Sequence, residues 1–234
     1  MRLTNVGYVL AQFLLVLGGA MLLPLPLAIW GTNDPSGPLL WACAATCACG
    51  AALLAACPRP RADLVVREAL LLVVVVWLST GFFGGLPFYF SPYFSSYTDA
   101  VFEAASGFTT TGATILADVE VLPRSLQLWR HFSHWMGGMG IVLLGIAVLP
   151  LLGTGGMHLY RAEFSGAKSE KLKPRITATA IALWKIYFAL TFVLYVLLRL
   201  AGMDVFDAVC HAFSTLGTGG SDARRQHRSV PGVR

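Results

Sequence analysis

The chain reads as an all-α integral membrane protein, with about five transmembrane helices and two re-entrant half-helix segments set between them. Three observations predict this class. Hydrophobic residues make up 56% of the sequence and charged residues only 12%, with a mean hydropathy of +0.67; a soluble domain carries about 25% charged residues. Several apolar runs reach the ~20 residues needed to cross a bilayer core of roughly 30 Å, and none shows the polar–apolar alternation of a transmembrane barrel strand. Two further segments are semi-polar and too short to cross, and each ends in threonine and glycine.

The first span runs from about Val6 to Trp30, where Pro24 and Pro26 should kink it or end its regular part. Its apolar stretch is longer than a signal-peptide core and no A-x-A-like site follows, so it reads as a retained span. A second span, about Leu39 to Cys57, is rich in Ala and Cys and suited to close packing against a neighbour. A basic turn, Pro58-Arg59-Pro60-Arg61, leads to a third span over about Glu68 to Phe83. From Gly84 to Ser125 the chain is neither a span nor an ordinary loop. The fourth span covers about Leu126 to Leu152 and the fifth about Ile176 to Ala201, with the polar RAEFSGAKSEKLKPR between them. The implied organisation is a helix pair over 1–63, a first span–segment–span repeat over 64–160, a cytoplasmic linker over 161–175, an incomplete second repeat over 176–220, and a hydrophilic tail over 221–234.

Net charge is +5, but no aromatic-interleaved basic surface points to nucleic acid. The basic residues instead report topology. Arg2, Arg59, Arg61, Arg67, Arg161, Lys168, Lys171, Lys173 and Arg175 fall on one side if five spans alternate, and that side is expected to be cytoplasmic. The opposite side carries Asp34, Asp99, Glu103, Asp118, Glu120, Asp204 and Asp207 against Arg124 and Arg130. Asp99, Glu103, Asp118 and Glu120 are candidates for a cation-attracting mouth, because negative charge there concentrates cations; each also reads as an ordinary solvated loop acid.

An internal repeat organises the two short segments. A shift of 108 positions places Asp99, Ala100 and Val101 on Asp207, Ala208 and Val209, Ala104 on Ala212, Ser106 on Ser214, Thr110 on Thr218 and Gly112 on Gly220. Each segment begins with an acid, which a helix N-terminus favours. A run of mostly apolar residues follows, then Thr109-Thr110-Thr111-Gly112 in one copy and Gly217-Thr218-Gly219-Gly220 in the other. Non-helical backbone at membrane depth must be buried in protein or line a watery cavity. A helix C-terminus carries partial negative charge, and glycine lets carbonyls turn inward without a Cβ clash. Rings of such carbonyls can replace a cation's hydration shell.

At these residues the sequence resembles the Trk/Ktr/HKT superfamily of cation transporters, in its TrkH branch. FEAASGFTTTGATIL (Phe102 to Leu116) is similar to the family's first pore loop, His131 to Glu163 to the span after it, and HAFSTLGTGG (His211 to Gly220) to the second pore loop. The resemblance implies potassium uptake across a bacterial inner membrane by a multi-pass protein, through a filter of four span–loop–span repeats. Backbone carbonyls near Thr110, Thr111, Gly112, Thr218, Gly219 and Gly220 would then face the ion. The resemblance further implies a homodimer, a cytosolic nucleotide-binding regulatory partner and no cofactor, with potassium as the transported substrate. After Gly220 the Arg-rich stretch Ser221 to Arg234 departs from the family pattern. The expectation from that departure is that the third and fourth repeats are missing and that the chain does not transport potassium alone. The alternative reading is a non-conducting fragment or a membrane interaction subunit of the same family.

Other residues carry weaker signals. Cys43, Cys47, Cys49, Cys57 and Cys210 read as small packed side chains rather than metal ligands, and His131 and His134 as interfacial polar contacts. Gly137, Gly138 and Gly140 are expected to let a helix approach the first half-helix closely; no Lys-Ser/Thr follows them, as a phosphate loop requires. Arg199 is expected to snorkel from the outer end of the fifth span, whereas Lys185, deeper in, has no nameable partner. Nothing marks a nucleophile elbow or a zinc-protease helix, so the chain is expected not to be an enzyme.

Overall fold

The computed structural model describes residues 3–30, 34–59, 65–152 and 169–219, with side chains for all of these but 30, 143–152 and 169–177. Among the described residues the secondary structure is helical throughout. Its helices are α1 (Leu3–Ala20), α2 (Leu25–Trp30), α3 (Gly37–Ala56), α4 (Val66–Gly84), α5 (Leu86–Tyr89), α6 (Tyr97–Phe108), α7 (Arg124–Leu152), α8 (Ser169–Leu200) and α9 (Val205–Leu216).

Among the described residues, four segments are long and apolar enough to cross a membrane: Leu3–Ile29, Gly37–Ala56, Val66–Tyr89 and Ala178–Leu200. Helix α7, at 29 residues, is about 43 Å long and also has the reach to cross. The chain is thus a helical membrane protein. The first apolar run breaks at Met21–Pro24, a turn between α1 and α2, where proline cannot continue the helix. Helix α8 is described from Ser169 and takes in the polar stretch ahead of the apolar run over Ala178–Leu200.

Small residues set the packing of the N-terminal pair. A Cβ added to Gly50 of α3 would lie 3.1 Å from the Ala11 carbonyl oxygen, and one on Gly18 of α1 would run onto the Cys47 sulfur. The alanine- and cysteine-rich span therefore packs closely on its neighbour, as small residues allow where lipid supplies no hydrophobic drive between helices. The main core joins this pair to the first repeat, with Phe88, Ala100, Ala104, Trp129 and Met21 fully buried. The Trp129 indole N–H donates to the Gly84 carbonyl at 3.0 Å, tying α7 to the end of α4. Asp34 caps α7 from the α2–α3 connection, accepting from the Ser125 backbone N–H at 2.8 Å and from its hydroxyl at 2.5 Å.

Helices α7, α8 and α9 meet around Trp135, whose ring lies 5.0–5.7 Å, centroid to centroid, from those of Phe132, Trp184, Tyr187, Phe188 and Phe213. Its indole N–H donates to Thr191 Oγ1 at 3.0 Å, and the Tyr187 hydroxyl donates to the Trp135 carbonyl at 3.0 Å. These polar bonds hold α8 in register with α7.

Candidate functional site

Helices α6 and α9 have 12 residues each, and both ends of each are related by the offset of 108. At ~1.5 Å per residue each extends roughly 18 Å, well short of a bilayer core. Their N-termini are capped at equivalent positions: Ser96 Oγ accepts from the Asp99 N–H at 3.1 Å, and the Asp204 carboxylate from the Phe206 N–H at 3.2 Å. Asp99 and Asp207 therefore occupy the first helical turn rather than the cap itself, still where the helix dipole favours an acid.

The C-termini match in finer detail. The Thr111 N–H donates to the Ser106 carbonyl and the Thr110 N–H to that of Gly107; the Gly219 and Thr218 N–H groups donate to the carbonyls of Ser214 and Thr215, all at 2.9–3.0 Å. This pair of bonds closes a helix through one left-handed residue, a place ordinarily taken by glycine. Here it is threonine in both copies, Thr110 with φ 57° and Thr218 with φ 56°. A β-branched residue in the left-handed region costs on the order of 1–3 kcal/mol and persists only where its surroundings enforce it, which is characteristic of functional turns.

The two turns converge. Gly112 has φ 75°, and a Cβ there would overlap the carbonyl oxygen of Gly219. Helix α7 backs both turns with adjacent glycines: a Cβ on Gly137 would overlap the Phe108 carbonyl at the end of α6, and one on Gly138 would come within 2.9 Å of the Gly217 Cα at the end of α9. Gly140 has open space around it, so of the three glycines in this run only the first two make the close approach. Thr109, Thr111 and Thr218 are exposed, Thr110 and Gly112 half-buried and Gly219 buried, while Gly220 lies outside the described residues. The site thus brings two negatively polarised helix ends, with exposed threonines, to one place, an arrangement suited to dehydrated cations.

The acids divide. Asp118 and Glu120 are exposed, the former capping a short 3-10 turn by accepting from the Glu120 N–H at 2.9 Å, and Asp99 is half-buried. Glu103, expected at the mouth, is 1% exposed and paired with Arg130, itself 3% exposed, at 2.5 Å. Arg130, expected only as a counter-charge to the outer acids, is instead the buried partner of one of them. A signal was available: Glu103 shares the i, i+3, i+4, i+7 row of α6 with Ala100, Ala104 and Gly107, the face that packs inward. His134, expected as an interfacial polar contact, is instead 1% exposed, and its ring fills the space behind the second turn that a Cβ on Gly219 would need. His134 Nδ1 lies 2.9 Å from the Arg130 carbonyl, and its Nε2 is buried without a hydrogen-bond partner among the described residues.

Among the described residues no group of three or more His, Cys, Asp or Glu side chains could hold a metal ion. Lys185 is exposed on α8. The Arg199 guanidinium donates to the Met203 carbonyl just past the end of α8, satisfying a backbone acceptor there.

The TrkH family, described as a cation transport protein, matches residues 39–225. The Trk system potassium uptake protein TrkH of Escherichia coli (strain K12) is 48% identical over 164 residues, covering 69% of this chain and 34% of that protein. The protein of the same description from Vibrio parahaemolyticus is 42% identical over 217 residues, 92% of this chain and 44% of the relative. The crystal structure of the potassium transporter TrkH from Vibrio parahaemolyticus aligns with a TM-score of 0.84 at 35% identity, covering 96% of this chain and 45% of the other. The chain spans less than half the length of each of these relatives. With the two matched turns in place, it belongs to the TrkH family of cation transport proteins.

Proposed function

We propose that this chain takes part in potassium uptake, contributing two of the carbonyl-bearing turns that strip water from the ion. The observation that carries this reading is the pair of equivalent turns around Thr110 and Thr218, each in a left-handed conformation and meeting at Gly112 and Gly219. Backbone carbonyls serve here as ligands, so no covalent chemistry and no cofactor is involved. The description of the relatives as Trk system potassium uptake proteins supports potassium as the ion. Residues 3–219 exchanged for the matching part of the Vibrio parahaemolyticus protein, in cells deficient in potassium uptake, should restore growth and rubidium uptake at low external potassium. A well-expressed exchange with uptake at the empty-vector level counts against the reading.

The working form we propose is a homodimer in a bacterial inner membrane, with a cytosolic nucleotide-binding regulatory subunit; the assembly is what the family resemblance implies, and the bacterial relatives support a bacterial membrane. The basic segments around Arg59 and Lys171 face the cytoplasm, and the connections around Asp34 and Asp118 the periplasm. Lys171→Cys should resist an impermeant thiol reagent in intact cells, against a background in which the native cysteines are replaced. Its labelling from outside overturns the orientation.

A further inference from the structure

We infer that Glu103 and Arg130 are a positioning pair that holds the first pore turn in its ion-facing form and thereby sets cation preference at that turn. The inference rests on the pore reading above and names residues that the reading does not need. The carboxylate of Glu103 joins three elements. Its Oε1 accepts from Arg130 Nε on α7 at 2.5 Å. Its Oε2 accepts from the Thr114 hydroxyl at 2.9 Å and from the Ile115 backbone N–H at 3.3 Å, both on the strand of chain that leaves the turn. The Ser106 hydroxyl donates to the Ala113 carbonyl at 2.6 Å beside it. The stretch from Thr109 to Thr114 is therefore closed at one end by the helix cap and at the other by this carboxylate.

Stability is a poor explanation for such a pair. Replacing a buried ion pair by packed apolar residues is often neutral or stabilising, whereas removing one partner strands the other charge. Nor does the turn itself require an acid: the equivalent residue in α9 is His211, and α9 ends in the same hydrogen-bond pattern with the same left-handed threonine. What Glu103 adds is a hold on the outgoing side of the first turn, the side on which the conformation of Gly112 is decided.

The test is hydrogen–deuterium exchange of the purified full chain in nanodiscs, in potassium, in sodium and in N-methylglucamine. The variants are Glu103→Gln, the charge-keeping Glu103→Asp, and the swap of Glu103→Arg with Arg130→Glu. In the parent chain, potassium should slow exchange over 109–116 and at 217–219 more than sodium does. Glu103→Gln should speed exchange over 109–116 about tenfold and erase the potassium–sodium difference there, leaving 205–219 unchanged. Glu103→Asp, which keeps both a charge pair and an acceptor for Thr114 and Ile115, should recover part of that difference, whereas the swap, which keeps the charge pair but places a donor-only guanidinium at position 103, should keep the fold without recovering it, so that loss of fold is not the cause. Exchange over 109–116 that is unmoved by Glu103→Gln, that rises equally in both pore segments, or that rises while the ion difference persists, overturns the inference. A parent chain with no ion difference at either turn overturns the pore reading and the claim on preference together. That failure is distinguishable, because 109–116 would still loosen in Glu103→Gln.

Discussion

The two pore segments have the same backbone and different supports. Helices α6 and α9 agree in length, cap position, closing hydrogen bonds and the sign of one threonine φ. Behind the first turn stands a buried ion pair with its lone pairs spent on the outgoing chain; behind the second stands an imidazole ring packed against Gly219. The comparison separates what a repeat must preserve from what it can vary. The turn geometry is the same in both copies, while the brace is whatever side chain α7 and the segment itself supply.

The largest effect is expected at the contact between the turns. Gly112→Ser, placed in the exchanged protein, introduces a Cβ at a φ of 75° and into the Gly219 carbonyl, so both turns shift together. The potassium-to-sodium uptake ratio should fall at least about tenfold; an unchanged ratio would make Gly112 an ordinary loop glycine. Next is the shared backing. Gly137→Ala sets a methyl against the Phe108 carbonyl, backbone that cannot swing aside, and should lower the unfolding stability of the purified chain by about 3 kcal/mol. Gly140→Ala meets open space and should be neutral or stabilise by about 0.5–1 kcal/mol. Equal losses at both positions would refute the assignment of the close approach to Gly137.

Smaller changes sharpen the contrast between braces. His134→Ala removes the ring behind Gly219 and should cost about 2 kcal/mol, most of it cavity. Exchange should rise over 213–219 while 109–112 holds; a rise at both turns would mean that His134 supports the site as a whole. A smaller effect than that of His134→Ala is expected from Thr110→Gly, which relieves a left-handed β-branched residue and should raise stability by about 1 kcal/mol. Its potassium preference should nonetheless decline, since a glycine turn is free to leave the conformation that threonine is packed into. A stability loss instead would show that the Thr110 side chain, rather than its backbone, does the holding.

Much of this arrangement was legible in the sequence. The repeat could be read because Asp99, Ala100, Val101, Ala104, Ser106 and Thr110 recur 108 positions on, and the helices take their bounds from that same register. The close approach of Gly137 was legible because a glycine run inside a span has few other uses. The role of Glu103 was not. Acids one turn apart on a short helix look alike until the inward face is known, and that face is set by α7, whose pairing residue Arg130 lies 27 positions away. His134 was illegible for the same reason: its partner in packing is a glycine 85 residues on, which leaves no trace in local pattern.

One helix serves as the common wall of two duplicated units. Successive residues on α7 point about 100° apart, so Gly137 and Gly138 each face a different half-helix. Duplication ordinarily frees two copies to drift independently. Here a shift of α7 as a whole is felt by both copies at once, through Gly137 against the end of α6 and Gly138 against the end of α9, whereas a change in a single brace, Glu103 or His134, is felt by one. A protein built this way can alter the character of one turn at a time while the wall between them keeps both in step.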